Sequence, residues 1–225
     1  MGVLRNIRNA NDRNCVRRGM RNPVQTQNII AEITRRLNLE EGGVKVIAID
    51  GRCASGKTTL AKELAEKLGA GVIHMDDFFL PGEMRTEERL REPGGNVHYE
   101  RFAEEVLPEL RSGASFSYGR FDCQRMETAE RVIVPAGRLR IVEGVYSCHP
   151  YFENYMDLRI FRDVPLEIQC ERIRARNGEQ ALKNFRERWI PMEEAYFGAY
   201  GIMEQADIIM EKECVSNAAT FLSRS

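Results

Sequence analysis

Residues 51–58 read GRCASGKT, and this octapeptide constrains the fold more than any other part of the chain. It matches the pattern G-x-x-x-x-G-K-[ST], a loop that joins a strand to a helix and wraps around phosphate groups. The run Val44–Asp50 before it is short, apolar and β-branched, whereas TTLAKELAEKLG after it has helical periodicity and closes at Gly69. Because the apolar run GVIHMDD follows at once, the segment predicts a strand–helix–strand unit with parallel strands.

The remaining apolar runs extend this unit into one α/β domain, expected over residues 25–225. We expect a three-layer α/β/α fold of the P-loop NTPase type, with a mostly parallel sheet of about five strands between helices. Residues 81–130 interrupt the strand–helix rhythm and indicate a small insertion. Further strands are predicted at 139–143, 157–164 and 207–210, and helices at 25–39, 165–176 and 180–200.

Composition limits the kinds of partner. Charged residues make up 30% of the chain with a net charge of −1, which gives no overall attraction to nucleic acid or to a membrane surface. The six cysteines form no C-x-x-C pair, so free thiols in a reducing cytoplasm are expected. Residues 1–24, rich in arginine and asparagine, predict a disordered basic tail without an assigned function. The expected partner is a small-molecule substrate, and the sequence does not decide whether the chain forms a homo-oligomer.

The residues of the loop have separate physical tasks. Glycine at 51 and 56 allows backbone conformations in which successive N–H groups point at phosphate oxygens. Lys57 is placed to reach the β- and γ-phosphates of ATP or GTP, and the Thr58 hydroxyl to bind Mg²⁺. Cys53 is either a thiol with a lowered pKa or a small loop residue without chemistry, which we favour. The expected phosphate-binding residues are Gly51, Ser55, Gly56, Lys57, Thr58 and Thr59.

Acidic residues follow two of the predicted strands. Asp76 and Asp77 come after the second strand, and Glu143 ends the strand at 139–143. Ligands of open parallel sheets bind beyond the carboxyl ends of the strands, so these acids should meet the phosphate loop there. One acid could hold Mg²⁺ and another could accept the proton of an attacking hydroxyl, which favours an alcohol acceptor. If extended, Asp76 and Asp77 would point to opposite faces, and Asp77 could equally be a turn cap.

Three arginines alternate at the end of the predicted helix 165–176. Arg172 and Arg176 would share one helical face, and Arg174 would lie away from it. Such arginines can close over transferring phosphoryl oxygens, so residues 172–185 are expected to form a lid. The alternative is a solvated basic face stabilised by the C-terminal end of the helix.

Four motifs in this order, GRCASGKTT, HMDDFF, IVEGVY and ERIRARNG, resemble the uridine kinase branch of the P-loop kinases. That branch also contains phosphoribulokinase-like and pantothenate kinase-like members, and the resemblance covers roughly residues 44–210. The signature PGGNVxYERF of bacterial proteins labelled uridine kinase-like or nucleoside kinase appears as Pro93–Phe102.

The resemblance implies roles for particular residues. Asp76, in a short D-x-F motif, would be the catalytic base, working with Lys57, and Glu143 would hold Mg²⁺ together with Thr58. Arginines of the lid would contact the triphosphate, and the insertion would bind the acceptor, with a tyrosine lying against a nucleoside. The lid residues implied are Arg172 and Arg176, and the acceptor-binding residues are Asp77, His98, Tyr118, Arg120 and Phe121.

Two departures from the family concern the acceptor. The F-D-H-P stretch whose acid holds the ribose hydroxyls is replaced by residues 96–99, NVHY, and a histidine downstream of the tyrosine has no equivalent. The expected activity is transfer of the γ-phosphate of ATP or GTP to a hydroxyl of a uridine- or cytidine-like nucleoside. A kinase for a pantothenate-like or sugar alcohol is one alternative, and a regulatory NTPase is another. The chain lacks the N-K-x-D motif of GTPase switches and the L-S-G-G-Q motif of transporter ATPases.

Overall fold

The computed structural model of the chain describes residues 23–39, 42–122 and 125–211. Two compact units are present, Met1–Arg36 and Leu37–Ser225. Almost all of helix α1 (Pro23–Leu37) belongs to the first unit, as the periodicity over 25–39 predicts. Within α1, Glu32 accepts hydrogen bonds from Arg35 and Arg36 about one turn later. The expected basic tail lies outside the described residues, apart from its last two residues, which begin α1.

The second unit contains a parallel sheet of five strands in the order β2-β5-β1-β6-β7, and a separate antiparallel hairpin of β3 and β4. Every neighbouring pair in the larger sheet is parallel. The expected α/β class and strand number are therefore confirmed. The strands are β1 (Lys45–Gly51), β2 (Gly71–His74), β3 (Phe116–Asp122), β4 (Glu127–Val134), β5 (Leu139–Glu143), β6 (Leu158–Asp163) and β7 (Ile208–Glu211).

Strand β1 lies at the centre of the sheet, and consecutive residues from Val46 to Ile49 are completely buried. Since successive side chains of a strand point to opposite faces, both faces of the sheet are covered. This burial is what a three-layer α/β/α arrangement requires, and it explains why β1 reads as a continuous apolar run. Within the described residues, no helix has the length and apolarity to cross a membrane.

The helices of the second unit connect these strands. They are α2 (Lys57–Leu68), α3 (Glu87–Arg91), α4 (Tyr99–Glu105), α5 (Leu166–Asn177), α6 (Glu179–Asn184) and α7 (Ile190–Tyr200). The single helix predicted over 180–200 is interrupted by a π-helical turn, Phe185–Trp189, between α6 and α7. Pro191 explains the interruption, because it has no backbone N–H to donate and its ring prevents a regular preceding turn.

The insertion at 81–130 contains α3, α4 and the β3–β4 hairpin up to the middle of β4. Its base is fixed by aromatic packing: the Phe78 ring lies 5.1 Å from Tyr118 and 5.2 Å from Phe102. Arg101 adds to this packing, because its guanidinium lies 4.3 Å from the centre of the Phe78 ring. It donates to the backbone oxygens of Gly119 and Asp77. The hairpin is thereby attached to the segment that follows β2.

Candidate active site

The phosphate loop has the backbone geometry that its glycines predict. Gly51 has φ 129°, and a Cβ atom there would lie 2.2 Å from the carbonyl oxygen of Arg162 in the neighbouring strand β6. Gly56, with φ 97°, is the left-handed residue at the N-cap of α2. Ala54 is also left-handed, with φ 56°, although it is not glycine. Successive N–H groups of such a loop can converge on an anion.

The side chains of the loop fit a phosphate ligand. Lys57 is buried, and its Nζ donates to the backbone oxygens of Gly51 and Arg52, at 2.8 Å each. Ser55 is 1% exposed, and its hydroxyl has no hydrogen-bond partner in the part of the chain that the structure describes. Thr58 and Thr59 are exposed on the first turn of α2. An orphaned buried hydroxyl and a lysine inside the loop are the groups that a polyphosphate would satisfy.

Glu143 and Thr58, the two residues expected to hold Mg²⁺, contact each other. The Thr58 hydroxyl donates to Glu143 Oε2 at 3.3 Å, although 85 residues separate them. His74 Nδ1 lies 2.5 Å from Glu143 Oε1, and this contact raises the pKa of His74. The described residues contain no group of three or more His, Cys, Asp or Glu side chains suited to a metal. Mg²⁺ fits here nevertheless, because it takes one or two protein oxygens beside phosphate and water.

Asp76 and Asp77 lie in a 3₁₀ turn, Met75–Phe78, and not in an extended strand. They still diverge, because Asp76 is exposed while Asp77 is 8% exposed. The exposed Asp76 carboxylate is crowded by protein atoms on its other sides, and this loss of hydration raises its pKa. Glu143 adds to the rise by repulsion, whereas Lys57 opposes it. The charges of Lys57 and Glu143 therefore both act on the Asp76 carboxyl group.

Tyr118 has a different environment from the expected one. It is completely buried, so it cannot lie against a nucleoside in this conformation. Its hydroxyl donates to Asp77 Oδ2 at 2.8 Å and accepts from the backbone N–H of His74 at 3.3 Å. Burial raises the pKa of Asp77, and the Tyr118 hydrogen bond opposes that rise. Tyr118 positions Asp77 and joins the hairpin to the end of β2.

Two of the expected acceptor residues line a cavity of about 280 Å³ beside the hairpin. His98 is the N-cap of α4, and its Nδ1 accepts from the backbone N–H of Arg101 at 3.2 Å. Phe121 is 6% exposed on β3. Arg120 points elsewhere, because it is exposed and paired with Glu130 of β4. The cavity is lined by Phe79, Pro81, Glu83, His98, Arg101, Phe121, Met126, Glu127 and Thr128.

The two expected lid arginines differ. Arg172 is half-buried and donates from Nη1 to the backbone oxygen of Ala54 in the phosphate loop, at 2.9 Å. Arg176 is exposed and donates to Asn177, so it does not reach the loop. Arg174 pairs with Glu179 at 2.6 Å. Of the three, only Arg172 contacts the phosphate loop among the hydrogen bonds of the described residues.

Three residues beside the loop were not found from the sequence. Asp50 is 1% exposed, and its burial raises its pKa. It accepts hydrogen bonds from the backbone N–H of Cys148 at 2.9 Å and from the Tyr196 hydroxyl at 2.8 Å. Glu193 of α7 accepts from the backbone N–H of Cys53 at 3.0 Å. Arg162 donates from Nε to the Ser55 backbone oxygen at 3.3 Å. Asp50, next to the last residue of β1, could have been found from the sequence as an acid before the phosphate loop, whereas nothing in the sequence connects Glu193 with a loop 140 residues away.

Cys53 is not a reactive thiol. Burial, together with the negative charge of Glu193, raises its pKa to about 12. Gln169 of α5 donates to its sulfur at 3.0 Å and to its backbone oxygen at 3.1 Å. The alternative of a lowered thiol pKa is therefore wrong, and Cys53 is a packed loop residue.

No protein-family model and no curated protein sequence matches the chain. Among solved structures, the chain is similar to a possible uridine kinase from Bacillus stearothermophilus, with a TM-score of 0.63 and 20% identity over 83% of this chain and 97% of the other. It is also similar to a candidate fructose transport system kinase from Silicibacter sp. TM1040, with a TM-score of 0.60 and 23% identity over 77% and 94% of the two chains.

A third similar structure is YFH7 from Saccharomyces cerevisiae, described as a candidate P-loop containing kinase with a circular permutation. The TM-score is 0.53 and the identity 12%, over 83% of this chain and 98% of the other. At these identities the likeness concerns the fold, and it agrees with the central parallel sheet and the phosphate loop. The chain therefore shares the fold of these solved structures.

Proposed function

We propose that the protein is a small-molecule kinase that transfers the γ-phosphoryl group of ATP or GTP to a hydroxyl of a nucleoside, uridine- or cytidine-like. One observation carries the proposal: an exposed acid, Asp76, lies within electrostatic reach of Lys57 and Glu143 at one edge of the sheet. A phosphate loop alone is compatible with many nucleotide-binding proteins. An exposed carboxylate beside that loop, with its own pKa raised, supports proton transfer from an attacking alcohol.

In the proposed reaction, the phosphate loop and the acids near it have separate roles. The N–H groups of the loop and Lys57 bind the triphosphate, and Thr58 with Glu143 would hold Mg²⁺, which supplies charge neutralisation at the phosphates when bound. The acceptor oxygen attacks the γ-phosphorus, the bond to the bridging oxygen breaks, and the nucleoside diphosphate leaves. The hydroxyl proton passes to the Asp76 carboxylate, which must be ionised to accept it.

Arg172 supports a closing role for the segment around α5 and α6. Its guanidinium contacts the loop through the Ala54 carbonyl, which places a group suited to binding phosphate oxygens beside the phosphate loop. Closure excludes water, which would otherwise compete with the acceptor for the phosphoryl group. Arg176, which is exposed, is left as a second candidate contact in a closed form.

The cavity beside the hairpin supports a planar or partly apolar acceptor. Phe79 and Phe121 offer aromatic surface, while His98 and Arg101 offer hydrogen-bonding groups. Val97 takes the place of the ribose-binding acid of uridine kinases and is 1% exposed, so ribose would need another partner. Because one similar structure is described as a candidate fructose transport system kinase, a sugar is the second candidate acceptor, and a pantothenate-like alcohol is the third.

The test is a panel of acceptors with ATP and with GTP, run with the wild type and Asp76→Asn. Uridine, cytidine, adenosine, fructose and pantothenate are added separately, and both released diphosphate and phosphorylated acceptor are measured. We expect one acceptor to accelerate turnover. Asp76→Asn should lower that turnover by about 10²–10⁴-fold while ADP affinity stays within about twofold, because only the base is lost.

Asp157→Asn is the matched control, since this acid lies beside the opposite end of the sheet, where it accepts from the backbone N–H of Val46 at 2.7 Å. It should retain activity. Nucleotide hydrolysis that ignores every acceptor would favour a regulatory NTPase over a kinase. Equal transfer by Asp76→Asn and the wild type would remove Asp76 from the reaction.

A further inference from the structure

His74 and Glu143 face each other across two neighbouring strands. His74 is the last residue of β2 and Glu143 the last residue of β5, and the two are register partners in this parallel pair. Side chains of register partners leave the sheet on the same face, so the imidazole and the carboxylate lie side by side. The backbone of His74 is extended, with φ −102° and ψ 122°, so this pairing requires no strained conformation.

The contact between the two side chains is close and directional. His74 Nδ1 lies 2.5 Å from Glu143 Oε1. An ionised carboxylate can only accept hydrogen bonds, so the imidazole is the donor, and it can donate from Nδ1 in both its neutral and its protonated form. The Glu143 side chain is 6% exposed, whereas the His74 side chain is 39% exposed. Because so little of Glu143 is open to water, the histidine is a main partner of this carboxylate.

The two oxygens of Glu143 have different partners. Oε1 accepts from His74, and Oε2 lies 3.3 Å from the hydroxyl of Thr58 at the start of α2. The second distance is longer than the range of about 2.5–3.0 Å that is usual between two oxygens, so the contact with His74 does more to fix the carboxylate. Held at Oε1, the carboxylate presents Oε2 to Thr58, the other residue expected to hold Mg²⁺.

We propose that His74 is a positioning residue that orients Glu143 for Mg²⁺ bound together with the nucleotide. The inference rests on the proposed function, and within it on the Mg²⁺ role of Glu143 and Thr58. A group that donates a hydrogen bond to a metal-binding carboxylate fixes its orientation before the metal binds. Loss of such a group typically weakens metal binding by about 10–100-fold.

Two substitutions of His74 test the proposal. His74→Leu removes the donor, whereas His74→Asn keeps an N–H on the atom that corresponds to Nδ1, three bonds from Cα. ADP affinity is measured by calorimetry with Mg²⁺ and with EDTA, and Mn²⁺ binding to the ADP complex by electron paramagnetic resonance. We expect His74→Leu to weaken Mn²⁺ binding at least about tenfold. Its ADP affinity should fall in Mg²⁺ and stay unchanged in EDTA, and His74→Asn should resemble the wild type.

Tyr151→Phe is the control, since Tyr151 is 50% exposed, and it should match the wild type in each measurement. A merely structural role for His74 would weaken ADP equally in Mg²⁺ and in EDTA, and this result would overturn the proposal. Unchanged Mn²⁺ binding in His74→Leu would overturn it as well. A His74→Asn protein as weak as His74→Leu would show that the hydrogen bond is not the cause.

The measurements need no acceptor, so they separate this inference from the kinase function. A wild type that binds ADP more tightly with Mg²⁺ but phosphorylates no acceptor would refute the kinase function and leave the role of His74 to be decided by its variants. A wild type whose ADP affinity is the same in Mg²⁺ and in EDTA would refute the metal role of Glu143 and Thr58, and the proposal with it.

Discussion

The substitution Tyr118→Phe isolates one buried hydroxyl that serves two partners. In the wild type this hydroxyl donates to Asp77 Oδ2 at 2.8 Å and accepts from the backbone N–H of His74 at 3.3 Å. Tyr118 has no exposed surface, so water cannot replace it in the variant without rearrangement. Phenylalanine keeps the stacking on Phe78, and the change is confined to hydrogen bonding.

The expected loss follows from these two contacts. A hydrogen bond to a charged group contributes about 1.5–3 kcal/mol, and a buried N–H left without an acceptor adds to the cost. We therefore expect the free energy of unfolding to fall by about 2–3 kcal/mol at neutral pH. For a chain of this size that corresponds to a melting temperature lower by about 5–10 °C.

The loss should depend on pH in a defined direction. Burial holds the pKa of Asp77 above its ordinary value, and removing the Tyr118 hydrogen bond raises this pKa further. A carboxyl with a raised folded-state pKa binds a proton that the unfolded chain releases, so the stability of the variant falls as pH rises through that pKa. The difference between variant and wild type should accordingly shrink toward about pH 4, near the pKa of an unfolded aspartate.

Urea unfolding at neutral and acidic pH measures both quantities, with Tyr151→Phe as the control because its ring is half exposed. The control should lie within about 0.5 kcal/mol of the wild type, as for most surface substitutions. If Tyr118→Phe behaved like the control, the hydroxyl would not support Asp77 and the explanation of how the hairpin is attached would be wrong.

Two further predictions concern the site. Gly51→Ala would bring a Cβ atom to 2.2 Å from the Arg162 carbonyl oxygen, so we expect loss of ATP binding and a lower melting temperature. Gly43→Ala is the control, because no atom lies within 4 Å of its Cβ, and it should change neither ATP binding nor the melting temperature. A Gly51→Ala protein that binds ATP normally by calorimetry would contradict the loop geometry. The pKa of Asp76 is raised, and the base acts in its ionised form. As the pH is lowered, kcat/KM should therefore begin to fall at a pH above the pKa of an ordinary aspartate. An acid limb at or below the ordinary range, near pH 4, would exclude Asp76 as the titrating base.

The fold follows closely from local sequence signals. The strand predicted at 139–143 has the bounds of β5, and the strand at 157–164 contains β6 with one more residue at each end. These predictions succeed because buried parallel strands are continuous apolar runs between turns, a pattern readable without knowledge of the partners. The π-helical turn before Pro191 was missed, because a proline inside a helical pattern signals an irregularity without specifying its form.

The site was predictable only where motif and chemistry coincide. The contact between Thr58 and Glu143 follows from the rule that strand ends meet at one edge of a parallel sheet. The burial of Tyr118 could not be predicted from the sequence, because it depends on how the hairpin packs against Phe78. Arg176 and Arg172 look equivalent in sequence, yet only the position of α5 against the loop separates them.

The attachment of the hairpin bears on how such proteins diverge. Arg101 holds the hairpin through backbone oxygens of Gly119 and Asp77, which persist whatever side chains those positions carry. Under the proposed function, substitutions in the cavity lining, at Phe121 or Met126 for instance, would alter which acceptor fits while the anchorage stays the same. New substrate ranges can then arise in this fold without disturbing the machinery for phosphate binding.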